Sequence, residues 1–299
     1  MDYDLVALGE TMTALSPPAG QTVRTAPALQ IDHAGAESNT CVGLARLGLR
    51  VAWLSRLGAD AAGDRILDAL RAEGIDTQWV ERDPQRPTGL MIKEPGAGVR
   101  YFRGDSAASV MGPEILQRAA IAEARAVLVT GVTALIGAQP HAAGLALLDR
   151  ARGLRIVDPN LRTGLWGSAR RAALVRTFVE RCDLLLAGDE ELAELVAAGG
   201  TEDPGALARA AAALGPKEIV VRAARRVGVL AGGAWQAVDI HRGDVVDAIG
   251  AGDAFNAGYI AARLRGGSIA DALDAAVACG ASVTASTSDT AGFPRRNDD

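Results

Sequence analysis

Residues 247–259, DAIGAGDAFNAGY, set Gly250, Ala251 and Gly252 directly before Asp253 and a run with helical apolar spacing. Glycines let backbone amides converge on one point, a helix N-terminus adds positive potential, and an adjacent carboxylate can take up a proton. Such a group of donors suits an anion, above all a phosphate. The same residues also suit a plain turn with an Asp cap, and local spacing leaves both readings open. Other chemistry-bearing residues stand where apolar runs end: Glu10 after YDLVALG, Asp158, Asn160 and Arg162 in DPNLRTGLW, and Glu191 in GDEE. Taken singly, each could be a turn residue, a helix-end acid or a solvated cation.

The elements that must position them are legible from periodicity. Short apolar runs at 3–9, 50–58, 126–131, 154–160, 182–188 and 218–223 predict strands, and the segments 36–48, 61–74, 140–153 and 169–182 predict helices by their three- and four-residue apolar spacing. Their alternation predicts an α/β fold, a doubly wound, mostly parallel sheet with helices on both faces. In such a sheet a ligand lies beyond the carboxyl ends of the strands, where the residues above cluster. Segments 13–35 and 86–109 break the pattern, being rich in Pro, Gly and Thr with the extended runs GLMIKE and VRYFRG around EPGAG. They read either as surface hairpins or as a small β-appendage placed as a lid. One domain is expected over 1–299.

Bulk properties exclude several classes of function. The 299 residues are 49% apolar and carry 31 basic and 36 acidic groups, a formal charge of −5, with the two signs interspersed. No basic stripe suits a nucleic acid. Cys41, Cys182 and Cys279 are far apart and odd in number, against a disulfide framework or a zinc site. No apolar stretch nears the roughly 20 residues that span a bilayer, and no basic lead precedes an apolar run at the N-terminus. The expectation is a cytoplasmic protein binding neither nucleic acid nor membrane.

Together, DAIGAGDAFNAGY and AGAESNTCVGLARLG (34–48), continued by LGADAAGDRILDALRAEGID (57–76), resemble the two signatures of the ribokinase-like carbohydrate kinases, the PfkB family, and the resemblance runs over almost the whole chain. It implies a ribokinase-like α/β domain with a β-sheet lid from about 13–35 and 86–109. Asp253 would be the general base towards a primary sugar hydroxyl, with Gly250, Ala251 and Gly252 as the anion hole. ATP and Mg²⁺ are implied, with Glu191, Arg222, Arg225, Val277 and Gly280 on the nucleotide side beside Gly250 and Gly252. Glu191 would act indirectly on Mg²⁺, and Asp247 begins a segment that holds a monovalent cation such as K⁺ in several relatives. RYFRGDSAAS (100–109) and DPNLRTGLW (158–166) are similar to segments of the 2-keto-3-deoxygluconate kinases. That likeness implies a sugar acid held by Gly35, Asn39, Met91, Tyr101, Arg103, Asp158, Asn160 and Arg162, and a homo-oligomer. A kinase for fructose or another keto sugar, and a sugar-binding sensor without catalysis, are the alternatives.

The chain departs from the family pattern at Ala34, where a Gly is usual, and at Met91, where the subgroup commonly has Tyr. It departs again at GDEE (188–191), which keeps only Glu191 of an Asn-x-x-Glu motif, and at AARRVG (223–228), which replaces a Gly-x-x-Gly loop and puts Arg225 and Arg226 on it.

Overall fold

The computed structural model describes residues 3–94, 96, 98–117, 121–161, 167–196, 203–240, 250–283 and 289–295. In chain order the strands are β1 (Leu5–Leu8), β2 (Met12–Ser16), β3 (Gln30–Ala34), β4 (Val51–Leu54), β5 (Arg56–Gly58), β6 (Glu81–Asp83), β7 (Leu90–Glu94), β8 (Gly98–Phe102), β9 (Ala126–Thr130), β10 (Leu154–Asp158), β11 (Leu184–Gly188), β12 (Glu218–Ala223), β13 (Arg226–Ala231) and β14 (Ala234–Asp239). The helices are α1 (Ala36–Arg46), α2 (Ala61–Ala72), α3 (Gly131–Leu135), α4 (Ala138–Arg150), α5 (Ser168–Val179), α6 (Asp189–Val196), α7 (Pro204–Ala212), α8 (Ala251–Leu264) and α9 (Ile269–Ser282).

Continuous apolar runs such as LVAL and AVLVT leave no polar face for water, so they must sit in a sheet covered on both sides. They do: the main sheet runs β14-β13-β12-β11-β10-β9-β1-β4, parallel from β12 to β4 and antiparallel at β13 and β14. Alternation along each strand sorts the core into two layers. Leu5, Leu128, Ile156 and Leu186 pack with Leu44 of α1, Leu70 of α2, Tyr259 of α8 and Leu273 of α9. Val6, Val127, Val157 and Leu185 pack with Leu147 of α4, Phe178 of α5, Leu192 of α6 and Leu207 of α7. The order reverses between β1 and β9, which opens a crevice at their carboxyl ends.

The two irregular segments supply a second sheet, β3-β2-β7-β8. Its inner face carries Met12, Ala14, Ala34, Met91 and Tyr101, packed together. Its outer face shows Ile31 and Phe102, 50% and 54% exposed.

The run 50–58 is not one strand. It bends at Ser55, whose carbonyl accepts the Glu81 amide at 2.9 Å. Beyond the bend β5 leaves the main sheet and pairs with β6. AARRVG is a tight hairpin turn that places Arg226 on a strand and not on a loop, because β13 pairs back on β12 from Arg226 onward. Arg226 therefore opens a strand and is paired with Asp239 at 2.7 Å.

Asp60 joins the main body to the root of β7. Its carboxylate caps α2 by accepting the Gly63 amide at 2.7 Å and takes the Thr88 amide and hydroxyl, each at 2.8 Å. Burial pushes the Asp60 pKa up, but the amides of Thr88 and Gly63 outweigh it and hold the group below the usual carboxylate range. A depressed folded pKa stabilises above the unfolded value, and the gain fades as pH falls through the folded one. Asp60→Ala is expected to cost about 1–2 kcal/mol in urea unfolding at neutral pH and to flatten the acid side of the stability profile. An unchanged urea midpoint would remove this role.

Candidate active site

A cleft of about 360 Å³ lies at the carboxyl ends of β1, β9, β10, β11 and β12, beneath the inner face of the second sheet. It gathers Gly35, Asn39, Met91, Tyr101, Arg103, Asp158, Asn160, Glu191, Arg222, Gly250, Gly252 and Asp253, twelve of the residues singled out from sequence. Ala251 is the first residue of α8 and is nearly buried.

At one end two helix N-termini meet. Gly250 precedes α8 with φ +91 and ψ −10, a left-handed conformation, and among the described residues no side chain caps the helix. A Cβ at this position would lie 2.0 Å from the carbonyl oxygen of Asp289, so only glycine fits. The start of α8 lines the cleft through Gly250, Gly252 and Asp253, with the helix dipole behind it. Helix α1 approaches α8 closely because Gly43 lacks a side chain, a Cβ there falling 2.5 Å from that of Ala257. This brings Asn39 to Asp253, and its Nδ2 donates to Asp253 Oδ2 at 2.8 Å. Asn39 Oδ1 is buried and accepts no hydrogen bond among the described residues.

Glu37, which the sequence reading passed over, fixes α1 over the crevice. One oxygen of its fully buried carboxyl accepts the Thr130 amide at 3.0 Å and the hydroxyls of Thr130 and Thr133, each at 2.8 Å. Burial pushes its pKa up against these bonds.

The opposite end is an ionic cluster. Asp158 Oδ1 accepts the Asn160 amide at 2.9 Å, a turn that holds Asn160 at φ +38. Glu191 accepts the amides of Leu161 at 2.9 Å and Gly188 at 2.8 Å. Arg222 lies 3.5 Å from Asp158 and 3.8 Å from Glu191, and its guanidinium sits over the Phe255 ring. Asn256 was also missed: it accepts from Arg222 and donates to Asp158 Oδ2 at 2.6 Å. Burial first, then the Asp158 charge, pushes the Glu191 pKa up, with Arg222 pulling against them.

Two carboxylates to one guanidinium leave room for a further cation. Among the described residues no group of three His, Cys, Asp or Glu could cage a metal. A divalent ion here would complete its coordination with phosphate and water, as Mg²⁺ ordinarily does.

From the second sheet come cations. Arg103 is 8% exposed, pairs with Glu10 and lies over the Tyr101 ring. Glu10 also accepts the Ser106 hydroxyl at 2.8 Å. Lys93, equally buried, pairs with Asp289. Neither Lys93 nor Asp289 stood out from sequence, although Lys93 follows Met91 at a two-residue spacing and so shares its inward face.

Other expected residues lie elsewhere. Arg225 lines a shallow surface depression with Pro204 and Ile240. Val277 lines a neighbouring one with Asp274 and the same Ile240. Gly280 stands behind the start of α8, where a Cβ would be 3.6 Å from the Ala251 carbonyl and from Phe255. Arg162 and Asp247 lie outside the described residues. No helix among the described residues is long and apolar enough to cross a membrane.

The family model for pfkB family carbohydrate kinases matches residues 2–296. A 2-dehydro-3-deoxygalactonokinase of Haloferax volcanii is 31% identical over 295 residues, 95% of this chain and 91% of that protein. A 2-dehydro-3-deoxygluconokinase of Bacillus subtilis is 31% identical over 306 residues, 99% of this chain and 94% of that protein. The crystal structure of a PfkB protein from Polaromonas sp. JS666 superposes with a TM-score of 0.85 at 33% identity, covering 93% of this chain and 95% of that one.

Proposed function

The chain belongs to the pfkB family of carbohydrate kinases, and we propose that it transfers the γ-phosphoryl group of ATP to the primary hydroxyl of 2-keto-3-deoxygluconate. The observation that carries this reading is the pairing, across one cleft, of the α8 N-terminus and Asp253 with the buried cation Arg103. Phosphoryl transfer needs positioning and stabilised equatorial oxygens more than covalent chemistry. Here Asp253 takes the hydroxyl proton, Asn39 orients that carboxylate, and the amides at 250–252 receive the oxygens. Arg222 faces the phosphates from the other end. Glu191 and Asp158 would hold Mg²⁺ indirectly, through water and phosphate, and the metal when bound supplies countercharge to the triphosphate.

The depressions at Arg225 and Val277 fit an adenosine moiety lying outside the sugar cleft. The second sheet acts as a lid over a single kinase domain, and its apolar outer face at Ile31 and Phe102 supports a homo-oligomer. Three buried free cysteines support a cytoplasmic location. K⁺ dependence would rest on Asp247.

Arginine forks pair with carboxylates through two parallel bonds, which favours a sugar acid. Against this, Glu10 neutralises part of the Arg103 charge, the observation that favours a neutral ketohexose. A coupled ADP-release assay over 2-keto-3-deoxygluconate, its galacto epimer, fructose and ribose separates the readings. Turnover of 2-keto-3-deoxygluconate is expected to exceed that of fructose by at least about 100-fold in kcat/KM. Faster use of fructose overturns the substrate assignment. Arg103→Lys is expected to raise KM for the acid sugar by about tenfold and to leave KM for fructose within about twofold.

A further inference from the structure

Lys93 is a charge the mechanism above leaves without a task. It stands on β7 of the second sheet, yet its ammonium crosses the cleft to Asp289 of the main body, and both side chains are nearly buried, at 10% and 8% exposure. Asp289 is not a bystander. Its carbonyl oxygen abuts Gly250, and its second carboxylate oxygen lies 3.5 Å from Asn39 Nδ2. The same nitrogen donates to Asp253 at 2.8 Å. One amide group therefore serves two carboxylates, Asp253 and Asp289, and a lid cation covers the second of them.

From this chain of contacts we infer that Lys93 is a positioning residue, which makes alignment of Asp253 conditional on closure of the lid. With the lid down, Lys93 holds Asp289, Asp289 fixes the Asn39 amide, and that amide sets Asp253 towards the acceptor hydroxyl. With the lid raised, Lys93 is withdrawn. Asp289 then faces Asp253 as an uncompensated like charge in a poorly solvated place and competes for the single amide. The base is thereby kept out of line until a sugar is enclosed, and transfer to water is disfavoured. This inference rests on the kinase reading above and adds to it a residue acting through others, not on the substrate.

The test is steady-state kinetics of the full chain with 2-keto-3-deoxygluconate, or with whichever sugar of the panel the wild type uses best. Lys93→Met is expected to lower kcat by about 10- to 100-fold while KM for ATP stays within about twofold. Lys93→Arg keeps the charge and is expected to recover kcat to within about threefold. Since Lys93→Met leaves a buried carboxylate alone and can compromise folding, Lys93→Met with Asp289→Asn removes both charges. In the Asp289→Asn background, Lys93→Met is expected to reduce kcat by less than about threefold further, because the residue through which it acts is already lost. Three outcomes overturn the inference: Lys93→Met with kcat within twofold of wild type, an effect confined to the sugar KM, or two substitutions whose effects multiply in full. A wild-type chain inert towards every sugar overturns the kinase reading and this inference together. Turnover with an unaltered Lys93→Met sinks the inference alone.

Discussion

Asp253→Asn is expected to lower kcat by about 10²- to 10⁴-fold, while KM for the sugar stays within about threefold. The substitution is nearly isosteric, and Asn39 Nδ2, now 2.8 Å from Asp253 Oδ2, can donate to the new amide oxygen as it does to the carboxylate. Packing at the start of α8 is therefore retained, and the capacity to accept a proton is lost. A binding role would show the reverse pattern, a raised KM with kcat preserved. Isothermal titration with sugar, followed by ADP-release kinetics, separates the two. Retention of more than a tenth of wild-type kcat would falsify the assignment of Asp253 as base. The same measurement addresses the sensor alternative, since a chain that only binds sugar should be indifferent to this change.

Much of the architecture was legible because parallel strands covered on both faces must be apolar throughout. EIVVRA is a strand over its full predicted span, Glu218–Ala223, since no residue within it offers an alternative turn. LRIVDPN ended two residues early, at Asp158, because the Asp158 carboxylate accepts the Asn160 amide and turns the chain. The break at Ser55 was not legible, for it depends on Glu81, whose amide meets the chain from a distant segment.

The site divides along the same line. Asp253, Asn39 and Gly250 stand in continuous motifs whose spacing conveys their chemistry. Lys93 and Asp289, neither of them singled out from sequence, are 196 residues apart. A buried ion pair leaves no local trace in a sequence, because the need for a partner arises only when folding removes water from both groups. Glu37 is the extreme case: among apolar and small neighbours on α1 it reads as a solvated helix acid, and only Thr130 of β9 and Thr133 of α3 show it as a buried acceptor.

Gly250→Ala is expected to remove activity by a different route, through backbone and not through chemistry. At φ +91 an L-residue meets its own carbonyl, a cost of about 1–2 kcal/mol. The new methyl would also stand 2.0 Å from the Asp289 carbonyl, so a backbone segment, and not a flexible side chain, must move. Either the first turn of α8 shifts and its amides leave the phosphoryl position, or Asp289 shifts and takes with it the contacts to Lys93 and Asn39. Both routes misplace donors that act only when aligned, and a kcat loss of at least about 10²-fold follows. The strain should appear as well in differential scanning calorimetry, as a midpoint lowered by several degrees at about 2–4 °C per kcal/mol. Gly252→Ala supplies the contrast, since a Cβ there meets nothing within 4 Å. Its thermal midpoint is expected within about 1 °C of wild type, so any fall in its kcat reports crowding of the bound phosphate alone. If the two variants melt at the same temperature, the left-handed turn at Gly250 is not what holds the amides in place.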